Sequence, residues 1–260
     1  MKTRILSGLV MLPFLAVFYF GGPVLMVACL LIGLVGVYEF FRGFHAMDIK
    51  PSYPVAVVST LGLYGINLFH LDSEWYMLWF FLSILCSLLY LFKIEERKLE
   101  DGLATITGIF YVIFFSYHVL LVEQTGEPSI LIWLIVFAAF GTDIFAYFVG
   151  VTMGKHKLCP KISPKKSIEG SIGGILGSVI LCGGFGYFFA PEYLMDCIII
   201  GVLGGVVSQF GDLTASIFKR KMGIKDYGNL IPGHGGILDR FDSVLFTAPL
   251  VYYYIQLVIN

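Results

Sequence analysis

Apolar runs close to twenty residues long recur nine times along the chain, and no long water-exposed domain separates them. A helix needs roughly 20 apolar residues to cross about 30 Å of hydrocarbon. The runs lie near 5–20, 24–41, 54–70, 75–92, 103–122, 130–150, 171–190, 194–211 and 239–259. Between them stand breakers such as Gly21-Gly22-Pro23, Lys50-Pro51, Asp72-Ser73-Glu74, Gly126-Glu127-Pro128 and Pro191-Glu192. Of the 260 residues, 58% are apolar or aromatic and 13% charged, against about 45–50% and about 25% in soluble domains. A soluble domain of this size has no way to keep so much apolar surface from water. A soluble enzyme, a disordered chain and a basic nucleic-acid binder are therefore excluded. The fold expected is all-α: a polytopic membrane bundle of about nine helices embedded as a single domain. Residues 1–125 would supply N-terminal membrane helices and 126–260 the C-terminal helices that carry a catalytic site.

Met1-Lys2-Thr3-Arg4 followed by Ile5–Phe20 has the look of a signal peptide. The early break at Gly21 and the further runs make it a first membrane span instead. With the N-terminus in the cytoplasm, all 17 Lys and Arg fall on the cytoplasmic side. The other side receives Asp72, Glu74, Glu123, Glu127, Glu192 and Asp196 and no base. The positive-inside rule thus predicts a cytoplasmic N-terminus and an outside C-terminus in a cell membrane. Four of the five cysteines lie in apolar runs and read as core thiols, and no CxxC pair suggests a disulfide framework or zinc. Gly170, Gly173, Gly174 and Gly177, and then Gly201 and Gly205, make GxxxG spacings. These suit close helix packing, the reading to prefer, with a homodimer contact as the sharper alternative.

Polar groups are costly in a bilayer and mark function, and they gather in the C-terminal half. Asp143 lies inside span six. Ser163-Pro164-Lys165-Lys166-Ser167 then combines hydroxyls and ammoniums before a helix start, which suits phosphate oxygens. If span eight continues as a helix, Asp212, Ser216 and Lys219 share one face. Pro232-Gly233-His234-Gly235-Gly236 is a turn whose amides can converge on an anion. Asp239 and Asp242 follow at i and i+3 in the first turn of span nine. Carboxylates, bases and glycine turns at one membrane face are the ingredients for Mg²⁺ and polyphosphate. No P-loop, zinc-protease or hydrolase-elbow motif is present.

The stretch from Ser216 through Phe218-Lys219-Arg220, Lys225-Asp226, Gly228, Ile231-Pro232, His234-Gly235-Gly236 and Leu238-Asp239-Arg240 to Asp242 resembles the signature of phosphatidate cytidylyltransferases, also called CDP-diacylglycerol synthases. The Ser163–Gly170 segment is similar to that family's second motif. The resemblance implies that CTP and phosphatidate, drawn from the bilayer, become CDP-diacylglycerol and diphosphate. In the roles this implies, Asp212, Asp239, Asp242 and Asp143 hold Mg²⁺. Ser216 and Lys219 contact phosphate, as do Ser163, Lys165, Lys166, Arg220, Lys225 and Arg240. His234, Gly235 and Gly236 shape the nucleotide side, and Asp212, Ser216, Lys219 and Asp239 form the catalytic set. Two other readings have different observables. A related lipid-alcohol kinase would release a nucleoside diphosphate, and an ion-coupled transporter would line a midplane pathway with its charges.

Overall fold

The structure, a computed structural model, describes residues 16–230 and 235–260. It is mostly helical. The helices are α1 (Gly22–His45), α2 (Tyr53–Leu68), α3 (Ser73–Leu89), α4 (Leu99–Glu123), α5 (Trp133–Met153), α6 (Ile168–Phe189), α7 (Leu194–Lys221) and α8 (Leu238–Tyr254). Seven described segments are long and apolar enough to cross a membrane. They match seven of the expected runs. The run near 5–20 lies outside the described residues except for 16–20, which are helical.

The third run departs from expectation. Its helix, α2, has only 16 residues, a length of about 24 Å at 1.5 Å per residue, short of the hydrocarbon thickness. Ser52 caps its start by accepting the Val55 N–H, and at its far end His70 takes a left-handed backbone (φ 50°) that stops the helix. Within α4, residues Gly108–Phe114 are π-helical. Gly108 sits there against the Phe41 ring, where a Cβ would lie 2.8 Å from Cζ.

Two compact units emerge from the packing: Met1–Tyr117 with Lys221–Arg240, and His118–Arg220 with Phe241–Asn260. In the first, buried polar groups tie α2 to α3. Ser59 and Ser83 share a 2.7 Å hydrogen bond, and the Trp79 indole donates to the Ser59 carbonyl at 2.7 Å. The outer face of α3 leaves Met77, Phe80 and Phe81 exposed, as a lipid-facing helix does.

In the second unit α5 and α6 pack backbone against backbone. A Cβ on Gly170 would stand 2.8 Å from the Ala146 carbonyl oxygen, and one on Gly174 would stand 2.9 Å from that of Thr142. One on Gly201 would stand 2.9 Å from the Val179 Cα. The GxxxG glycines are thus used within the chain, where small residues let helices approach without a hydrophobic driving force. Between α5 and α6 lies an antiparallel hairpin that an all-helical reading omits. Strand β1 (Lys157–Cys159) pairs with β2 (Ser163–Ser167), Lys157 opposite Ser167 and Cys159 opposite Ser163.

Candidate active site

The second unit gathers one set of expected residues. The hairpin hands the chain to α6 through Ser167, whose hydroxyl caps the helix by accepting the Gly170 N–H at 3.1 Å. Just before that cap, Lys166 forms an ion pair with Asp212 of α7. Lys165, on the alternate side of the strand, is exposed. Helix α7 does continue past the apolar run, and its register does what the spacing predicted. The Ser216 hydroxyl, one turn on, donates to Asp212 Oδ1 at 3.3 Å. Arg220 Nε donates to the Ile162 carbonyl at 3.3 Å, pinning the hairpin turn to the end of α7.

Ser243 joins the two remaining acids of this unit. Its N–H donates to Asp242 Oδ1 at 2.9 Å and its hydroxyl to Asp143 Oδ2 at 3.2 Å. Asp242 is buried; Asp212 and Asp143 are near enough to repel its charge and Lys219 near enough to attract it. Gly211 makes the approach of α8 feasible, since a Cβ there would stand 2.6 Å from the Asp242 carbonyl oxygen. Three carboxylates, two ammoniums and two hydroxyls from separate stretches of sequence therefore share one neighbourhood. Among the described residues no three His, Cys, Asp or Glu side chains form a ready metal cage.

The first unit holds the other set. Asp239 Oδ2 accepts the N–H groups of Tyr227 at 2.8 Å and Gly236 at 2.9 Å. Its partners here are loop amides, and they differ from those of Asp242 although the two acids are i and i+3 on α8. Gly235 has φ 86°, a left-handed conformation that glycine adopts without strain. Lys225 is exposed. Arg240 is half-buried, and its Nε is buried without a hydrogen-bond partner among the described residues. His234 lies outside the described residues.

Two groups in this unit escaped the sequence reading. Glu39 of α1 is buried and accepts the N–H groups of Ile237 at 3.1 Å and Leu238 at 2.9 Å. Arg42, one turn on, donates to the Tyr227 carbonyl at 2.6 Å. The signal was available: an acid inside an apolar span is expensive and calls for a partner. In the sequence Arg42 stands out only through the charge asymmetry.

Residues 2–258 match the cytidylyltransferase family. The chain is 33% identical over 270 residues to the phosphatidate cytidylyltransferase of Synechocystis, covering 92% of this chain and 90% of the relative. It is likewise 33% identical over 275 residues to that of Bacillus subtilis, covering 99% and 98%. A phosphatidate cytidylyltransferase of Rickettsia bellii is 43% identical over 131 residues, 46% of this chain and 57% of the relative.

Proposed function

The chain belongs to the cytidylyltransferase family, and from that premise we propose how its residues carry the reaction. The activity is that of a phosphatidate cytidylyltransferase. CTP and phosphatidate give CDP-diacylglycerol and diphosphate, a nucleotidyl transfer of phospholipid synthesis performed by a multi-pass membrane protein.

A phosphatidate phosphate has a second pKa of about 6, so it is already a dianion near neutrality and needs no general base. One of its oxygens attacks the α-phosphorus of CTP. The bond from that phosphorus to the bridging oxygen of the β-phosphate breaks, and diphosphate leaves with both electrons. The protein's task is to hold two polyanions in line and to offset charge on the leaving group. Lys166 and Lys219 meet phosphate oxygens, Lys166 by exchanging Asp212 for the nucleotide. Ser216 and Ser163 donate hydroxyls, Lys165 and Arg220 add positive charge within the same unit, and Lys225 and Arg240 are the phosphate-binding cations of the first unit. The buried guanidinium Nε of Arg240 is suited to an anion. Gly235 and Gly236 are assigned to the nucleotide side, and His234 is assigned there by the signature alone.

Mg²⁺ fits the donor set. Asp143, Asp212 and Asp242 offer hard oxygen ligands, and carboxylates outnumber ammoniums around them. Mg²⁺ commonly takes one or two carboxylates and completes its shell with water and substrate phosphates, so a cage of three is not required. When bound it would neutralise phosphate charge. Asp239 belongs to the same signature, and we assign it to the catalytic set through its hold on the loop.

The N-terminus is assigned to the cytoplasm, with the nucleotide site on that face and nine spans, the short α2 crossing where the bilayer thins around it. The lipid tails stay in the bilayer. The observation that carries the site assignment is the Lys166–Asp212 pair, which joins two motifs far apart in sequence. The test is the purified protein with CTP and phosphatidate: one diphosphate should appear per CTP consumed, and only when phosphatidate is present. Chelator should silence the enzyme and Mg²⁺ restore it. Asp212→Asn should lower kcat by about 100-fold or more, the usual scale for losing one preorganised electrostatic partner. Undiminished turnover of Asp212→Asn would remove that acid from the site.

A further inference from the structure

We propose that Glu39 is a positioning residue for cytidylyl transfer: from α1, outside both motifs, it seats the start of α8. The inference rests on the reaction proposed above. Ile237 and Leu238 present the first amides of α8, which have no acceptor within the helix. Glu39 Oε1 takes one at 3.1 Å and Oε2 the other at 2.9 Å. A carboxylate at a helix N-terminus also suits the helix dipole.

The seat is made by glycines. A Cβ on Gly228 or Gly236 would collide with the Glu39 carboxylate. Around it the loop is held a second time. Asp239 accepts the Tyr227 N–H at 2.8 Å and Arg42 donates to the Tyr227 carbonyl at 2.6 Å. Asp239 and Arg240 follow within the first turn of α8, so the rotation and height at which α8 begins set where these side chains stand. A plain cap would need one acceptor. This seat uses both oxygens of a buried acid, and glutamine has only one acceptor oxygen, its amide NH₂ then facing an N–H.

The test compares wild type, Glu39→Gln, Glu39→Asp, Gly236→Ala and the Glu39→Gln/Gly236→Ala pair in phosphatidate-containing micelles, with thermal unfolding giving the folded fraction. Gly236→Ala approaches the seat from the loop side, because its methyl meets the Glu39 carboxylate. In Glu39→Gln, kcat per folded molecule should fall about 100-fold, the scale of an ångström-sized misplacement. The KM for CTP should change by less than about threefold, as when an interaction realised in the transition state is lost. Gly236→Ala should match Glu39→Gln in kcat, the double variant should be little worse in kcat than either, and Glu39→Asp, with both acceptors on a shorter stem, should fall between wild type and Glu39→Gln. Wild-type kcat per folded molecule in Glu39→Gln and Gly236→Ala, whatever the change in unfolding temperature, would overturn the inference. So would failure of both to fold, since the seat would then serve stability alone. A wild type that makes no CDP-diacylglycerol would instead overturn the reaction.

Discussion

Adjacent residues of an extended strand point to opposite sides, and Lys165 and Lys166 are divided in this way: Lys166 pairs with Asp212 while Lys165 is exposed. Their alanine variants should therefore differ. Lys166→Ala removes a charge-assisted contact of about 1.5–3 kcal/mol and leaves Asp212 to repel the triphosphate. It should lower kcat/KM for CTP by about 10- to 100-fold, and Lys165→Ala by clearly less, since exposed charges are screened. Initial rates against CTP concentration decide this, and equal losses would contradict the division. The acids of the motifs were legible because a charge beside an apolar run has a cost and so stands out. Glu39 has the same cost, but its partners are backbone amides 198 and 199 residues away, and amides leave no mark in a pattern of side chains. Asp239 was legible as functional, while its hold on Tyr227 and Gly236 was not, for the same reason.

Among the elements, the long helices could be read because span length and apolar runs have one physical cause, the thickness of hydrocarbon. The short α2 lies where its run was read, near 54–70, but it closes at Leu68 through a left-handed backbone at His70, which leaves it short of a full span. The hairpin was also hidden. Lys, Ser and Pro have low strand propensity, and β2 is held instead by its pairing with β1 and by Glu169. That carboxylate accepts the N–H groups of Lys155 at 3.1 Å and His156 at 3.2 Å, and bonds His156 Nδ1 at 2.6 Å. The glycines of α6 divide into two kinds. Gly174 lies against α5, whereas Gly184 has open space around its missing Cβ. Gly174→Ala should lower stability by about 1–3 kcal/mol through overpacking. Gly184→Ala should be neutral or stabilise by up to about 1 kcal/mol through helix propensity. Thermal unfolding in one detergent compares them, and equal midpoints would refute the close α5–α6 approach.

For the whole molecule, the one-sided distribution of all 17 bases sets the proposed topology. Single cysteines replacing Glu192 and Lys165, in a background lacking the five native cysteines, should be labelled by an impermeant reagent from opposite sides of the membrane. Labelling of both from one side would discard the span count. That topology puts the phosphate chemistry on the face where CTP is found and leaves the acyl chains in lipid. The central claim is the identity of the group transferred, and one experiment addresses it without intermediate assumptions. Purified protein in phosphatidate-containing vesicles is given CTP radiolabelled at its α-phosphate or, in parallel, at its γ-phosphate. The account predicts that α-label enters the lipid as CDP-diacylglycerol while γ-label leaves as diphosphate. Transfer of γ-label to lipid, with release of CDP, would contradict it and make the chain a kinase.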